Sequence, residues 1–123
     1  MEGQNAIARY GRGGVAVNGT EHRQSVVVPW RGEVRTWPVA GFADLTESHF
    51  EILATLQPEL VIFGSGERIR FAHPALLRAL IERRIGIETM DTAAACRTYN
   101  VLLAEGRSVV AALLFESMVP SAS

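Results

Sequence analysis

The sequence predicts a single three-layer α/β domain with a mixed central sheet. Two observations carry this. From residue 59 onward, three strand segments, "ELVIF", "GIETM" and "SVVAALLF", alternate with two helical segments, a β-α-β-α-β order. Before them, Asn18-Gly19 marks a tight hairpin between β-type segments. A right-handed crossover sets "ELVIF" and "GIETM" parallel, and the hairpin adds antiparallel strands, so the sheet is mixed. With 123 residues, 48% of them hydrophobic, the chain has room for one core. It is read as one domain over 1–123, with a short flexible tail from about 118 to 123.

The elements follow in order. "VAVNGTEHRQSVVVPW" places one strand near Val15–Val17 and its hairpin partner near Gln24–Val28. Pro29 and Gly32 break the run, and "EVRTWPV" forms a further short strand; Trp30 and Trp37 flank the break as packing for the small sheet. "DLTESHFEILATLQP" is a helix with Asp44 or Thr46 as N-cap, Asp44 and Glu47 having capping-box spacing. Phe50, Leu53 and Leu56 give its apolar stripe, and Pro58 ends it. "ELVIF" is apolar on both faces, as a strand covered on both sides must be. A second helix starts at Pro74, runs through Leu76, Leu77, Leu80 and Ile81, and ends with Arg83, Arg84 and Gly86. After "GIETM", Asp91 opens a third helix reaching about Glu105; Gly106 turns the chain into "SVVAALLF".

Composition removes several function classes. A net charge of −1 supplies no basic field for nucleic acid or an anionic membrane. All twelve basic residues are arginine, so a phosphate-loop lysine, a Schiff base and a Ser–Lys dyad have no amine to use. One cysteine makes no internal disulfide and points to a reducing compartment. The opening "MEGQNAIARYGRGG" lacks a signal-peptide core, and no apolar run reaches the roughly 18 residues of a membrane span. The expected setting is the bacterial cytoplasm.

One crevice can be placed from topology. Parallel "ELVIF" and "GIETM" bring the loop Gly64-Ser65-Gly66 beside Asp91-Thr92 at the carboxyl edge of the sheet, where ligands of open α/β sheets bind. Backbone N–H groups there favour an anion, and Arg68, Arg70 and Arg97 are near in sequence. The competing reading is a tight turn ending a buried strand, with Asp91 as a helix cap. Ile69 stands where a dinucleotide loop needs a small residue, and Phe63 and Glu67 stand where a nucleophile elbow needs glycines.

On the third helix, Ala95, Cys96, Tyr99, Leu102 and Leu103 share one face, Arg97, Thr98 and Glu105 lie opposite, and Asn100 sits at the border. Cys96 therefore reads as a small buried hydrophobe. His22, His49 and His73 are dispersed, and no His-x-His, His-x-x-x-His or Cys-x-x-Cys occurs. No catalytic, metal or cofactor set is assigned. The binding candidates are Gly64, Ser65, Gly66, Arg68, Asp91, Thr92, Arg97 and Asn100.

Two stretches carry a resemblance. Gly64-x-Gly66, together with Met90-Asp91-Thr92 followed by Ala95-Cys96-Arg97-Thr98-Tyr99-Asn100 and Glu105, resembles a small α/β family of uncharacterised bacterial and archaeal proteins. That family includes the mitochondrial respiratory complex I assembly factor 3. The resemblance runs from about Val15 to Phe115 and implies a three-layer fold with a mixed sheet. It also implies a non-catalytic domain that docks on another protein, such as a subunit of a membrane complex; mitochondrial location follows only by analogy. The alternative is a small-ligand or anion-binding protein, or an enzyme, using Gly64–Gly66, Asp91, Thr92 and Arg97. The sequence leans away from an enzyme and leaves both readings open.

Overall fold

The computed structural model describes residues 3–116; the expected tail at 118–123 lies outside the described residues. The strands are β1 (Ile7–Gly11), β2 (Gly14–Val17), β3 (Thr20–His22), β4 (Val26–Pro29), β5 (Arg35–Thr36), β6 (Leu60–Gly64), β7 (Gly86–Met90) and β8 (Val109–Leu113). The α-helices are α1 (Glu47–Thr55), α2 (Arg78–Glu82) and α3 (Thr92–Ala104). A five-stranded sheet has the order β5-β4-β8-β6-β7, and β1, β2 and β3 form a separate three-stranded sheet. β6 runs parallel to both β7 and β8, whereas β4 pairs antiparallel with β8 and β5. The central sheet is mixed, as the sequence predicts.

Successive residues of the inner strands serve opposite cores. Leu60, Ile62, Val109, Ala111 and Leu113 pack with Cys96 and Tyr99 of α3 and with Val15 and Val17 of the small sheet. Val61, Phe63, Val110 and Ala112 pack with Phe50 and Leu53 of α1, Leu80 of α2, and Trp37. This is why "LVIFG" and "VVAAL" are buried at every position. Trp37 sits edge-on to Phe50 and Phe63 at 5.8 and 5.9 Å, and its Nε1–H donates to the His49 carbonyl. It packs, as expected, but in the core between the central sheet and α1 and α2 rather than against the small sheet.

Local readings that need correction begin at the hairpin. The Asn18-Gly19 turn does form, with φ of 49° and 87°, but its second arm is Thr20–His22, not Gln24–Val28. A two-residue turn fixes Val17 opposite Thr20. The fully apolar "VVVP" crosses instead into the central sheet beside β8. β1 was not anticipated, because four of its five residues are exposed and it shows no apolar alternation.

At α1 the N-cap is Thr46, and the residue reaching back is His49 rather than Glu47. Its Nδ1 accepts from the Thr46 N–H at 2.9 Å while Nε2 lies 2.9 Å from the Pro38 carbonyl. The second helix begins as a 3-10 turn, Pro74–Leu77, and ends through Arg84 at φ 56°. The Ile85 N–H reaches Leu80 O and the Arg84 N–H reaches Ile81 O, a Schellman closure that leaves Gly86 free to start β7. Leu80 is buried, whereas Ile81 beside it is 60% exposed.

Candidate functional site

β6, β7 and β8 are parallel, so the segments after all three leave at one edge of the sheet. The connection after β6 leads to α2 on one face, and that after β7 leads to α3 on the other. Gly64–Gly66 and Asp91-Thr92 therefore meet at a switch point, the crevice position of open α/β sheets.

The groups in that crevice are bonded to each other. The Gly66 N–H donates to Thr92 Oγ1 at 2.9 Å, and the Thr92 N–H donates back to Gly66 O at 2.8 Å. The Thr92 hydroxyl donates to Leu114 O, and the Leu114 N–H donates to Gly64 O, so the ends of β6 and β8 and the start of α3 are joined. Asp91 accepts from the Ala94 N–H at 2.9 Å, capping α3. Gly64 is required here for close approach: a Cβ would lie 3.0 Å from both Thr92 Cα and Ala95 Cβ. The loop fastens the start of α3 onto the sheet.

Ser65 is fully buried and organises the next segment. Its hydroxyl lies 2.9 Å from Arg68 O and accepts from the Arg70 N–H at 2.8 Å, and its own N–H donates to Met90 O. The Arg70 guanidinium donates to Ser65 O and to Glu116 Oε1, both at 2.7 Å, and stands 4.7 Å above the Phe42 ring. Glu116 Oε2 accepts from the Phe42 N–H. The Arg70 hydrogen bond is the main reason the Glu116 carboxyl is held below its ordinary range.

The sequence placed Arg70 near the loop but missed Glu116. The available signal was its position directly after the last buried strand, at the same sheet edge.

A groove of about 480 Å³ remains outside this lock, lined by Gly66, Asp91, Thr92 and Glu116 with Tyr10 and Arg12 of the small sheet. Arg12 meets Glu67 at 3.1 Å, Arg70 meets Glu116, and the Asp91 carboxylate caps α3. The Arg97 guanidinium donates to the Tyr10 hydroxyl at 3.3 Å, which with the Asp91 charge strengthens its hold on its proton. Of the eight candidates, the fold gathers Gly64, Ser65, Gly66, Asp91 and Thr92 at one point. Arg68 is on the exposed loop beyond, and Arg97 is on the outer side of α3 against Tyr10.

Asn100 lies elsewhere, with its side-chain amide engaged by the backbone of Ile7. Cys96 and Tyr99 point inward. Burial pushes the Cys96 thiol up to about 12 and raises the Tyr99 phenol too. The Tyr99 hydroxyl is 2.7 Å from Asn5 O and 3.1 Å from Pro29 O, a structural bond in a buried site. Among the described residues no buried side-chain nitrogen or oxygen lacks a partner, and no cluster of three metal-ligating side chains occurs.

Three relatives place this arrangement. The chain is 41% identical over 80 residues to the bovine NADH dehydrogenase [ubiquinone] 1 alpha subcomplex assembly factor 3, a match covering 63% of this chain and 44% of that protein. The chain thus spans under half the length of that curated relative. It is 37% identical over 117 residues to an uncharacterized protein of Rhodobacter capsulatus, covering 94% of this chain and 90% of the other. A crystal structure of a Bordetella parapertussis protein superimposes with a TM-score of 0.86 at 40% identity, covering 92% of this chain and 97% of that one. Residues 7–114 match the family model described as protein of unknown function (DUF498/DUF598), and with that match the chain belongs to this family.

Proposed function

We propose that this domain acts by binding other proteins during assembly of a membrane-bound respiratory complex, without chemistry of its own. The supporting observation is the state of the crevice. The peptide groups, the Thr92 hydroxyl and the Ser65 hydroxyl that a ligand would need are bonded to one another. Catalytic sites commonly hold polar groups in reserve for a substrate; here those groups fasten α3 and the 65–72 segment in place. The similarity to a protein named as an NADH dehydrogenase assembly factor supplies the class of process. No helix among the described residues is long and apolar enough to cross a membrane. In this reading the domain meets such a complex from its aqueous side, in the cytoplasm of a bacterial cell.

Deleting the gene in its host tests the reading. Native gels and NADH-driven respiration should show less assembled NADH-oxidising complex, restored by the wild-type chain. Unchanged assembly and respiration would exclude this function.

A further inference from the structure

The 65–72 segment is closely hydrogen-bonded to Ser65, and it carries an exposed apolar pair. Ser65 holds it at three points, through Arg68 O, the Arg70 N–H and the Arg70 guanidinium. From residue 69 the segment alternates as a strand does. Arg70 turns inward to its bonds and Ala72 is 9% exposed, whereas Ile69 and Phe71 stand out at 51% and 74% exposed. Phe71 is the most exposed of the large hydrophobic side chains in the described residues. An aromatic side chain held out by a pre-ordered backbone loses little entropy on binding, which is how an interface anchor is made.

The neighbouring charges select the occupant. Glu67 is paired with Arg12 and Arg70 with Glu116. Arg68, adjoining Ile69, contributes to the field on Glu116 but forms no salt bridge among the described residues. The ridge thus presents two apolar side chains and one guanidinium that has no ion pair among the described residues.

We propose that Arg68, Ile69 and Phe71 form a docking ridge for a partner-protein segment carrying an apolar side chain next to a carboxylate. This deepens the assembly reading and rests on it for the kind of partner, while the ridge itself is tested by direct binding. The carboxylate pairs with Arg68 and the apolar side chain covers Phe71, removing both from water.

The test pans a phage-displayed library of random twelve-residue peptides against the full-length chain. Enriched peptides are then synthesised and titrated against wild type, Phe71→Ala and Arg68→Ala. Enriched sequences should combine an aromatic or branched apolar residue with a neighbouring Asp or Glu. Phe71→Ala should weaken binding about thirtyfold or more, and Arg68→Ala about three- to fivefold with a flatter salt dependence. Both variants should keep the wild-type unfolding midpoint, because the altered side chains are exposed.

Binding within twofold of wild type for Phe71→Ala, or enriched peptides without carboxylates, overturns the ridge. Concentration-dependent self-association abolished by Phe71→Ala would make the occupant a second copy and overturn it equally. The two readings fail separately. If Phe71→Ala restores respiratory assembly in the deletion strain as wild type does, the ridge falls and the assembly function stands. If the deletion has no defect, the titrations still decide the ridge.

Discussion

The side-chain amide of Asn100 takes both backbone groups of Ile7, accepting the Ile7 N–H at 3.0 Å and donating to Ile7 O at 2.8 Å. Asn100 thereby acts as one rung of a β-ladder, tying β1 to α3. Replacing it with alanine leaves two part-buried peptide groups unpaired and should cost about 1–3 kcal/mol in urea unfolding. Asn100→Asp should be at least as damaging, since a carboxylate faces the Ile7 carbonyl. Amide exchange at Ile7 should speed up in both variants.

Gly64 is the clearest steric constraint. Gly64→Ala sets a methyl group 3.0 Å from Ala95 Cβ and Thr92 Cα, so α3 must lift from the sheet. The expected loss is about 1–3 kcal/mol, the range for overpacking a closed core. The double variant Gly64→Ala/Ala95→Gly should recover part of this loss, showing non-additivity in chemical denaturation.

Glu116 gives a pH test. Its carboxyl is held below the ordinary value of 4.5, chiefly by the Arg70 hydrogen bond, so the folded state binds its proton less readily than the unfolded state. The stabilisation is therefore complete above the unfolded pKa, near 4.5, and is lost as pH falls through the lower folded value. Glu116→Gln should be less stable than wild type at pH 7, and the gap should close as pH falls through the lowered folded value. A gap that persists unchanged in acid would mean that the ion pair is not its source.

Cys96 is fully buried and its thiol is pushed up to about 12 by burial. Ellman's reagent at pH 8 should leave the native protein unlabelled over minutes and label it stoichiometrically in denaturant. Rapid native labelling would mean that α3 opens far more often than its packing implies.

Arg84 closes α2 at φ 56°, a conformation that costs an L-residue energy and glycine none. Arg84→Gly should raise stability by about 0.5–1 kcal/mol, the steric relief exceeding the added freedom of the unfolded chain. A thermal melt is sufficient to see it.

The legible parts of the fold were those in which local chemistry and burial agree. The runs containing Leu60–Gly64 and Val109–Leu113 are apolar at nearly every position because both faces are covered, and Asp91 caps α3 as a helix-start aspartate should. β1 was invisible because "IARYG" earns its place through Asn100, ninety-three positions away in sequence, and not through its own pattern. The second arm of the hairpin was misplaced because β4 and a hairpin strand share the same β-forming residues; only the central sheet decides where Val26–Pro29 goes. At the crevice, the meeting of Gly64–Gly66 with Asp91-Thr92 followed from topology. The bonding of those groups to one another depends on side-chain directions that no local spacing encodes.

The attachment of the small sheet to α3 sets the order in which the chain can mature on the ribosome. Gln4, Asn5 and Ile7 bond to Leu103, Tyr99 and Asn100, so the first strands have no docking surface until α3 has been made. At about 5–20 residues per second, the hairpin waits roughly 4–17 s with Val15 and Val17 uncovered. In that interval the two valines face water, so the burial of the small sheet waits on a helix made much later along the chain.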